Sequence, residues 1–153
     1  MSTSQSERAT NEVKKAERRI LELMAEIEQV RSGKKGIRGK RARLNMQLSI
    51  AYKIGRRSKS KVDWKRAFAN ICKRQKIGSS RTLAGAFTRL VKLVFADETP
   101  TSRIRYAKVL SFANRSKWSD KQFRSALADH GLTKIEQDEI NRKKVAKNRG
   151  RSD

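Results

Sequence analysis

The stretch QLSIAYKIGRRSKSKV, residues 47–62, decides how the middle of the chain is folded. Leading into it, Leu44, Leu48, Ala51 and Ile54 recur at three- and four-residue steps. That spacing predicts an amphipathic helix from Arg41 to about Gly55. Glycine and the polar run after it read as a basic turn from Arg56 to Lys61. Beyond the turn, Ser60-Lys61-Val62-Asp63 predicts a capped helix start. Trp64, Phe68, Ile71 and Cys72 then share one face of a helix that runs to about Lys76.

The same stretch sits inside the most positive part of the chain. From Ser32 to Gly78 there are sixteen Lys or Arg and one acid, Asp63, a net of +15 out of +24 for all 153 residues. A surface this positive calls for a polyanion, and nucleic acid is the expected one. The residues expected to meet it are Lys34, Lys35, Arg38, Lys40, Arg41, Arg43, Arg56, Arg57, Lys59, Lys61, Lys65, Arg66, Lys73 and Arg74. Base reading is expected from Arg56, Arg57, Lys59, Lys65 or Arg66. Arg56 and Arg57 lead because a guanidinium can make two hydrogen bonds to guanine. Asp63 is the exception to the charge, and a first-turn position beside the positive end of a helix dipole accounts for it.

Ala51 and Gly55 also stand at the spacing of a helix-turn-helix, in which a small residue packs between helices and glycine makes the turn. A buried aliphatic is due six residues after the glycine. Lys61 occupies that place and Val62 comes one step late, so the match is loose. A second helix pair, 62–76 with 80–96, is joined by KIGS and offers another tight corner.

Working outward, residues 1–31 carry six bases and six acids and contribute no net charge. Ser4-x-x-Glu7 predicts a helix start. Val13, Ala16, Ile20, Leu23, Ile27 and Val30 then fall at alternating steps of three and four. With β-branched residues at one seam position, this predicts a parallel two-stranded coiled coil and hence a homodimer through Val13, Ile20, Leu23, Ile27 and Val30. The alternative is an amphipathic helix packed on its own domain, and Leu21 and Met24 widen the stripe in that direction. Gly33, Gly36 and Gly39 break the helix and give a flexible basic arm over 32–40.

Downstream, Leu83, Phe87, Leu90, Val91, Val94 and Phe95 make Arg81–Ala96 the most apolar helix and the expected centre of the core. Thr99-Pro100 predicts a capped helix start, running to about Asn114. Ser119-Asp120 caps another helix, which Gly131 stops. Thr133-x-x-Glu136 opens a last one. The tail from about residue 146 is polar and basic, and is expected to be disordered. No stretch alternates long enough to argue for strands.

Catalytic chemistry finds little support. One cysteine, Cys72, rules out an internal disulfide and a multi-cysteine metal site, and reads as a small buried residue. The single histidine, His130, precedes Gly131 at a helix end, where it suits the dipole. Asp97, Glu98, Asp120 and Asp129 are the carboxylates that could gather a magnesium ion, and three of them fall at helix ends. GKKGIRGK lacks the spacing of a phosphate loop and follows a helix instead of a strand. Aromatic residues are 6% of the chain, and Trp64, Trp118, Phe68 and Phe87 form no array for stacking single-stranded bases. Trp118 is the one placed in a polar loop. No apolar run reaches the ~18 residues of a membrane span, and the N-terminus lacks the apolar segment of a signal peptide.

With 36% hydrophobic and 35% charged residues, the core is expected to be small for the length. The expectation is an all-α protein: an amphipathic helix over 1–31, a basic arm over 32–40, a helical nucleic-acid-binding domain over 41–145, and a tail over 146–153. It is read as an intracellular protein of cytoplasm or nucleoid, not an enzyme, with no cofactor, metal, membrane or small-molecule substrate. Duplex DNA is favoured over RNA as the partner, in a regulatory or architectural role. An RNA-binding or ribosome-associated factor is one alternative. A coiled-coil adaptor for an acidic partner is the other.

Overall fold

The computed structural model describes residues 3–78 and 85–151, the side chains of 3–6, 85–86 and 148–151 excepted. Its helices are α1 (Thr3–Arg31), α2 (Lys40–Ser60), α3 (Val62–Arg74), α4 (Gly85–Val94), α5 (Pro100–Arg115) and α6 (Asp120–Arg151). No strand occurs among the described residues, so the architecture is all-α as expected.

α2 is the axis of the fold and touches each of the other five helices. Its six consecutive residues from Gln47 to Tyr52 are all buried, as are Ile54, Gly55 and Ser58. A helix covered on every side needs no amphipathic stripe. The one-faced pattern read from Leu44, Leu48, Ala51 and Ile54 therefore understates its burial. Two of the hydroxyls inside are matched: Ser49 Oγ donates to the Asn45 carbonyl at 2.8 Å, and Tyr52 Oη donates to the Trp118 carbonyl at 2.6 Å.

The turn expected at Gly55 is absent. Gly55 lies in the middle of α2, which continues through Arg56, Arg57 and Lys59 to Ser60. The physical reason is close approach. A Cβ on Gly55 would stand 2.3 Å from Phe87 Cε1 and 3.2 Å from Leu90 Cδ2, so only glycine lets α4 pack here. The basic turn shrinks to one extended residue, Lys61 (φ −115°, ψ 125°), between α2 and α3. The helix-turn-helix spacing around Gly55 is thus not realised. Lys61 is the residue preceding α3 and no side chain caps that end, so the Ser60 cap is also absent. Asp63 does sit in the first turn of α3. The other candidate corner falls across residues 79–84, outside the described residues.

The seam of α1 is consumed within the chain. Ala16, Ile20, Leu23, Ile27 and Val30 are buried in the common core, and Val13 packs against it. Their helix lies on α2 and α3 of the same molecule. The coiled-coil expectation is corrected to the alternative, because a stripe already covered by its own chain cannot also cover a second copy. Nor does 1–31 form a unit apart from 41–145, since one apolar cluster runs from Ala16 to Ile135. The proposed cap at Ser4 falls on a side chain outside the described residues.

α1 ends in a two-bond C-terminal motif. Lys34 N–H donates to the Gln29 carbonyl and Gly33 N–H to the Val30 carbonyl, with Gly33 at φ 82°. This left-handed position favours glycine because other residues clash there. The 32–40 arm is anchored midway by Ile37, which packs against the core, and Arg43 donates to its carbonyl at 3.4 Å.

Phe87, Leu90, Val91 and Phe95 bring α4 into the core. α5 starts where Thr99 Oγ1 accepts from Ser102 N–H, with Pro100 at the first position. α6 starts in a reciprocal capping box. Gln122 N–H donates to Ser119 Oγ at 3.1 Å, and Ser119 N–H to Gln122 Oε1 at 2.8 Å. Gly131 (φ 81°, ψ 165°) breaks α6, and the helix resumes in a new direction at once. Thr133 is therefore not a cap; its hydroxyl accepts from Arg105. The last segment is fastened to α5 by Glu139. That buried carboxylate meets Arg115 at 2.6 Å, Arg142 at 3.1 Å and Lys143 at 3.7 Å. The tail expected to be disordered continues as helix to Arg151.

Candidate nucleic-acid interface

The fourteen cations read from the sequence fall into three groups. Lys34, Lys35 and Arg38 lie on the arm, with Lys40, Arg41 and Arg43 in the first turn of α2 beside them. Arg56, Arg57 and Lys59 occupy the last turns of α2, with Lys61 at the corner. Lys65, Arg66, Lys73 and Arg74 lie on the outer side of α3. α2 has 21 residues, so its two ends, which carry the first and second groups, stand about 30 Å apart at 1.5 Å per residue.

Several are engaged inside the molecule. Arg56 Nε is 3.1 Å from Asp120 Oδ1 and ties α2 to α6. Arg57 lies over the Trp64 ring and Lys59 over the Phe87 ring. Arg74 meets Glu17 at 2.9 Å. The Arg41 guanidinium lies against Gly131. Arg56 and Arg57, the residues expected to lead in base reading, are thus held against the body. Arg43 is half-buried and donates to the Ile37 carbonyl. The remaining eight, Lys34, Lys35, Arg38, Lys40, Lys61, Lys65, Arg66 and Lys73, are exposed. None of the eight forms an ion pair among the described residues.

The two ends of α2 differ electrostatically. Arg57 and Lys59 sit at the negative end of the dipole, where cations are favoured. Lys40, Arg41 and Arg43 sit at the positive end. That first turn has no acid, and Gly39 before it supplies no side-chain cap. Each cation there is unfavourable by about 0.3–1 kcal/mol at low salt. The helix therefore holds this charge against its own local preference.

On α3 the two sides separate cleanly. Trp64, Ala67, Phe68, Ile71 and Cys72 are buried. Lys65, Arg66, Ala69, Asn70 and Lys73 are exposed. Asn70 went unnoticed in the sequence, although it lies one turn from both Arg66 and Lys73. Its amide donates to Glu17 Oε1 at 3.0 Å, and Arg74 donates to Glu17 Oε2. The Asn70 hydrogen bond, with the Arg74 hydrogen bond and charge, holds the Glu17 carboxyl below its ordinary range despite partial burial. An open groove runs between α1 and α3 at this point, lined by Val13, Lys14, Glu17, Arg66, Ala69 and Asn70.

The remaining polar and aromatic candidates have structural roles. Burial pushes the Cys72 thiol up, away from the reactive thiolate. Burial likewise pushes Tyr52 up to about 12. Trp118 stands edge-on to Phe112 at 5.6 Å and leans on Phe123, and Trp64, Phe68 and Phe87 are buried. Among the described residues no group of three or more His, Cys, Asp or Glu gathers to hold a metal ion. No described helix is long and apolar enough to cross a membrane. Comparison of the chain with protein-family models, with curated proteins and with solved structures finds no match in any of the three.

Proposed function

We propose that this chain is a nucleic-acid-binding protein, with duplex DNA as its partner ahead of RNA, acting as a regulatory or architectural factor. The observation that carries this reading is the set of eight exposed cations on the arm, the α2–α3 corner and α3 that have no carboxylate partner among the described residues. Chains that have acids available commonly neutralise such charge internally, as Arg56, Arg74 and Arg115 do here. Eight left unpaired favour an external polyanion. The separation of about 30 Å between the ends of α2 supports a long partner over a small anion, because one phosphate ester cannot meet both ends. The cations held at the positive end of α2 point the same way, since local rules are broken most often where function requires it. The inward packing of Trp64, Phe68 and Phe87 argues against stacking of single-stranded bases.

The test is to sequence the nucleic acid that copurifies with the protein, then to compete duplex DNA against structured RNA. Recovery of DNA and preference for duplex DNA support the proposal. Recovery of one RNA class that outcompetes DNA transfers the interface to RNA. Clean protein with no affinity for either ends the reading.

A further inference from the structure

We infer that α3 is the element that enters the duplex, lying in the major groove of B-form DNA with Lys65, Arg66, Ala69, Asn70 and Lys73 toward the bases and phosphates. This rests on the nucleic-acid reading above and specifies which element contacts what. The five positions recur at steps of one and three, so they form a single stripe along the helix. All five are exposed, while the opposite stripe is buried and fixes the helix to the body. The thirteen residues of α3 span about 20 Å, and a helix with its side chains is about 10–12 Å wide. The B-form major groove is about 12 Å wide and admits a helix of that size.

The chemistry along the stripe is graded. Ala69 at the centre carries a single methyl group, so the backbone can come close to base edges. Asn70 beside it carries an amide donor and acceptor, the pair that matches the N6 and N7 edge of adenine once the amide leaves Glu17 Oε1, to which it donates at 3.0 Å in the free protein. Lys65 and Arg66 lie one turn before, and Lys73 one turn after. Their long side chains reach the phosphates that border a groove. The mounting is short and hydrogen-bonded: Lys61 N–H donates to the Arg57 carbonyl and Lys65 N–H to the Lys61 carbonyl, so α3 is coupled to the buried axis across one residue. A-form RNA has a deep, narrow major groove that cannot receive a helix. The same placement therefore selects DNA over duplex RNA.

The experiment uses the full chain and three proteins: wild type, an α3 variant (K65Q/R66Q/K73Q) and an arm variant (K34Q/K35Q/R38Q). Binding to a labelled duplex is followed by fluorescence anisotropy, alone and with methyl green, which fills the major groove, or distamycin, which fills the minor groove. All substituted positions are exposed, and matched far-UV circular dichroism confirms equal folding. At about 0.15 M salt, loss of three phosphate contacts at ~0.9 counterions each weakens the α3 variant on the order of 10²-fold. Methyl green displaces the wild type, distamycin does not, and duplex RNA of the same sequence binds at least tenfold more weakly. DNA binding that survives in the α3 variant, or that distamycin but not methyl green abolishes, overturns the placement of α3 and leaves the nucleic-acid reading standing. A wild type that binds neither DNA nor RNA overturns both.

Discussion

Gly55→Ala sets two physical effects against each other, and the structure decides which wins. In an exposed helix interior, alanine is better than glycine by about 0.8–1 kcal/mol. At Gly55 the new methyl group would lie 2.3 Å from Phe87 Cε1, 2.9 Å from Cδ1 and 3.2 Å from Leu90 Cδ2. Ordinary carbon contacts are about 3.5–4.0 Å, so the Phe87 ring must retreat by more than 1 Å. It has nowhere to go: Phe87 is fully buried and Lys59 lies over its face. Overpacking of this kind costs about 1–3 kcal/mol, and the short distance places it at the upper end. After the propensity gain, the net loss is about 1–2 kcal/mol, or roughly 3–6 °C in Tm for a chain of this size. Urea denaturation of wild type, G55A, F87L and G55A/F87L measures it as a cycle. In the F87L background the clash is relieved, and the same substitution becomes neutral or stabilising by up to ~1 kcal/mol. Gly78→Ala is the control, since nothing lies within 4 Å of a Cβ there. A G55A protein as stable as wild type, or an unchanged loss in the F87L background, refutes the packing argument.

The other predictions concern ion pairs and one strained residue. Burial raises the Glu139 carboxyl, but hydrogen bonds and charge from Arg142 and Arg115 outweigh that and hold it below its ordinary range. A depressed carboxyl contributes stability in full above its unfolded pKa of ~4.3, and that contribution is lost as pH falls through the folded value. Melting curves from pH 7 to 3 should therefore fall more steeply below about pH 4 for wild type than for E139Q, and parallel curves would contradict the clasp. Lys117 adopts φ 58° at the end of α5, a left-handed conformation costing about 1–2 kcal/mol for a residue with a Cβ. K117G should raise stability by about 0.5–1 kcal/mol after the glycine entropy is set against that relief; an unchanged or lower Tm would count against the strain. Glu17→Gln removes a carboxylate beside the outer face of α3 and frees Arg74. DNA affinity should rise about fivefold near 0.15 M salt, the effect of one more phosphate contact, and weaker binding would show that Glu17 assists the partner instead of competing with it.

Two helix starts were legible in the sequence, whereas the caps read at Ser60 and Thr133 are not formed. Thr99-Pro100 and Ser119 cap α5 and α6 because hydroxyl–backbone bonds are local, needing only residues three apart. The apolar face of α3 was legible for a similar reason, since Trp64, Phe68, Ile71 and Cys72 repeat at helical period on the one face that meets α1 and α2. Gly55 was misread because glycine breaks helices in isolation and permits close helix approach in a core, and only Phe87, 32 positions away, distinguishes the two. The α1 seam was ambiguous at its root. A heptad of Ile20, Leu23, Ile27 and Val30 has the same period whether it meets a second copy or α2 of its own chain. Of the candidate interface, the excess of cations was plain from the sequence, but their availability was not. Arg56 is tied by Asp120, 64 positions along, while Lys65 and Arg66 have no such partner among the described residues. Long-range pairing is invisible to spacing, so the sequence favoured Arg56 and Arg57 where the fold leaves α3 exposed.

The central claim is that unpaired cations on this fold meet phosphates. Its most direct measurement is the affinity for a duplex DNA of about 20 base pairs across 50–300 mM salt. Eight exposed cations releasing ~0.9 counterions each give a log–log slope near −7, with affinity falling about 10⁴-fold between 50 and 200 mM. A slope close to zero, or no binding at the lowest salt, would contradict the account.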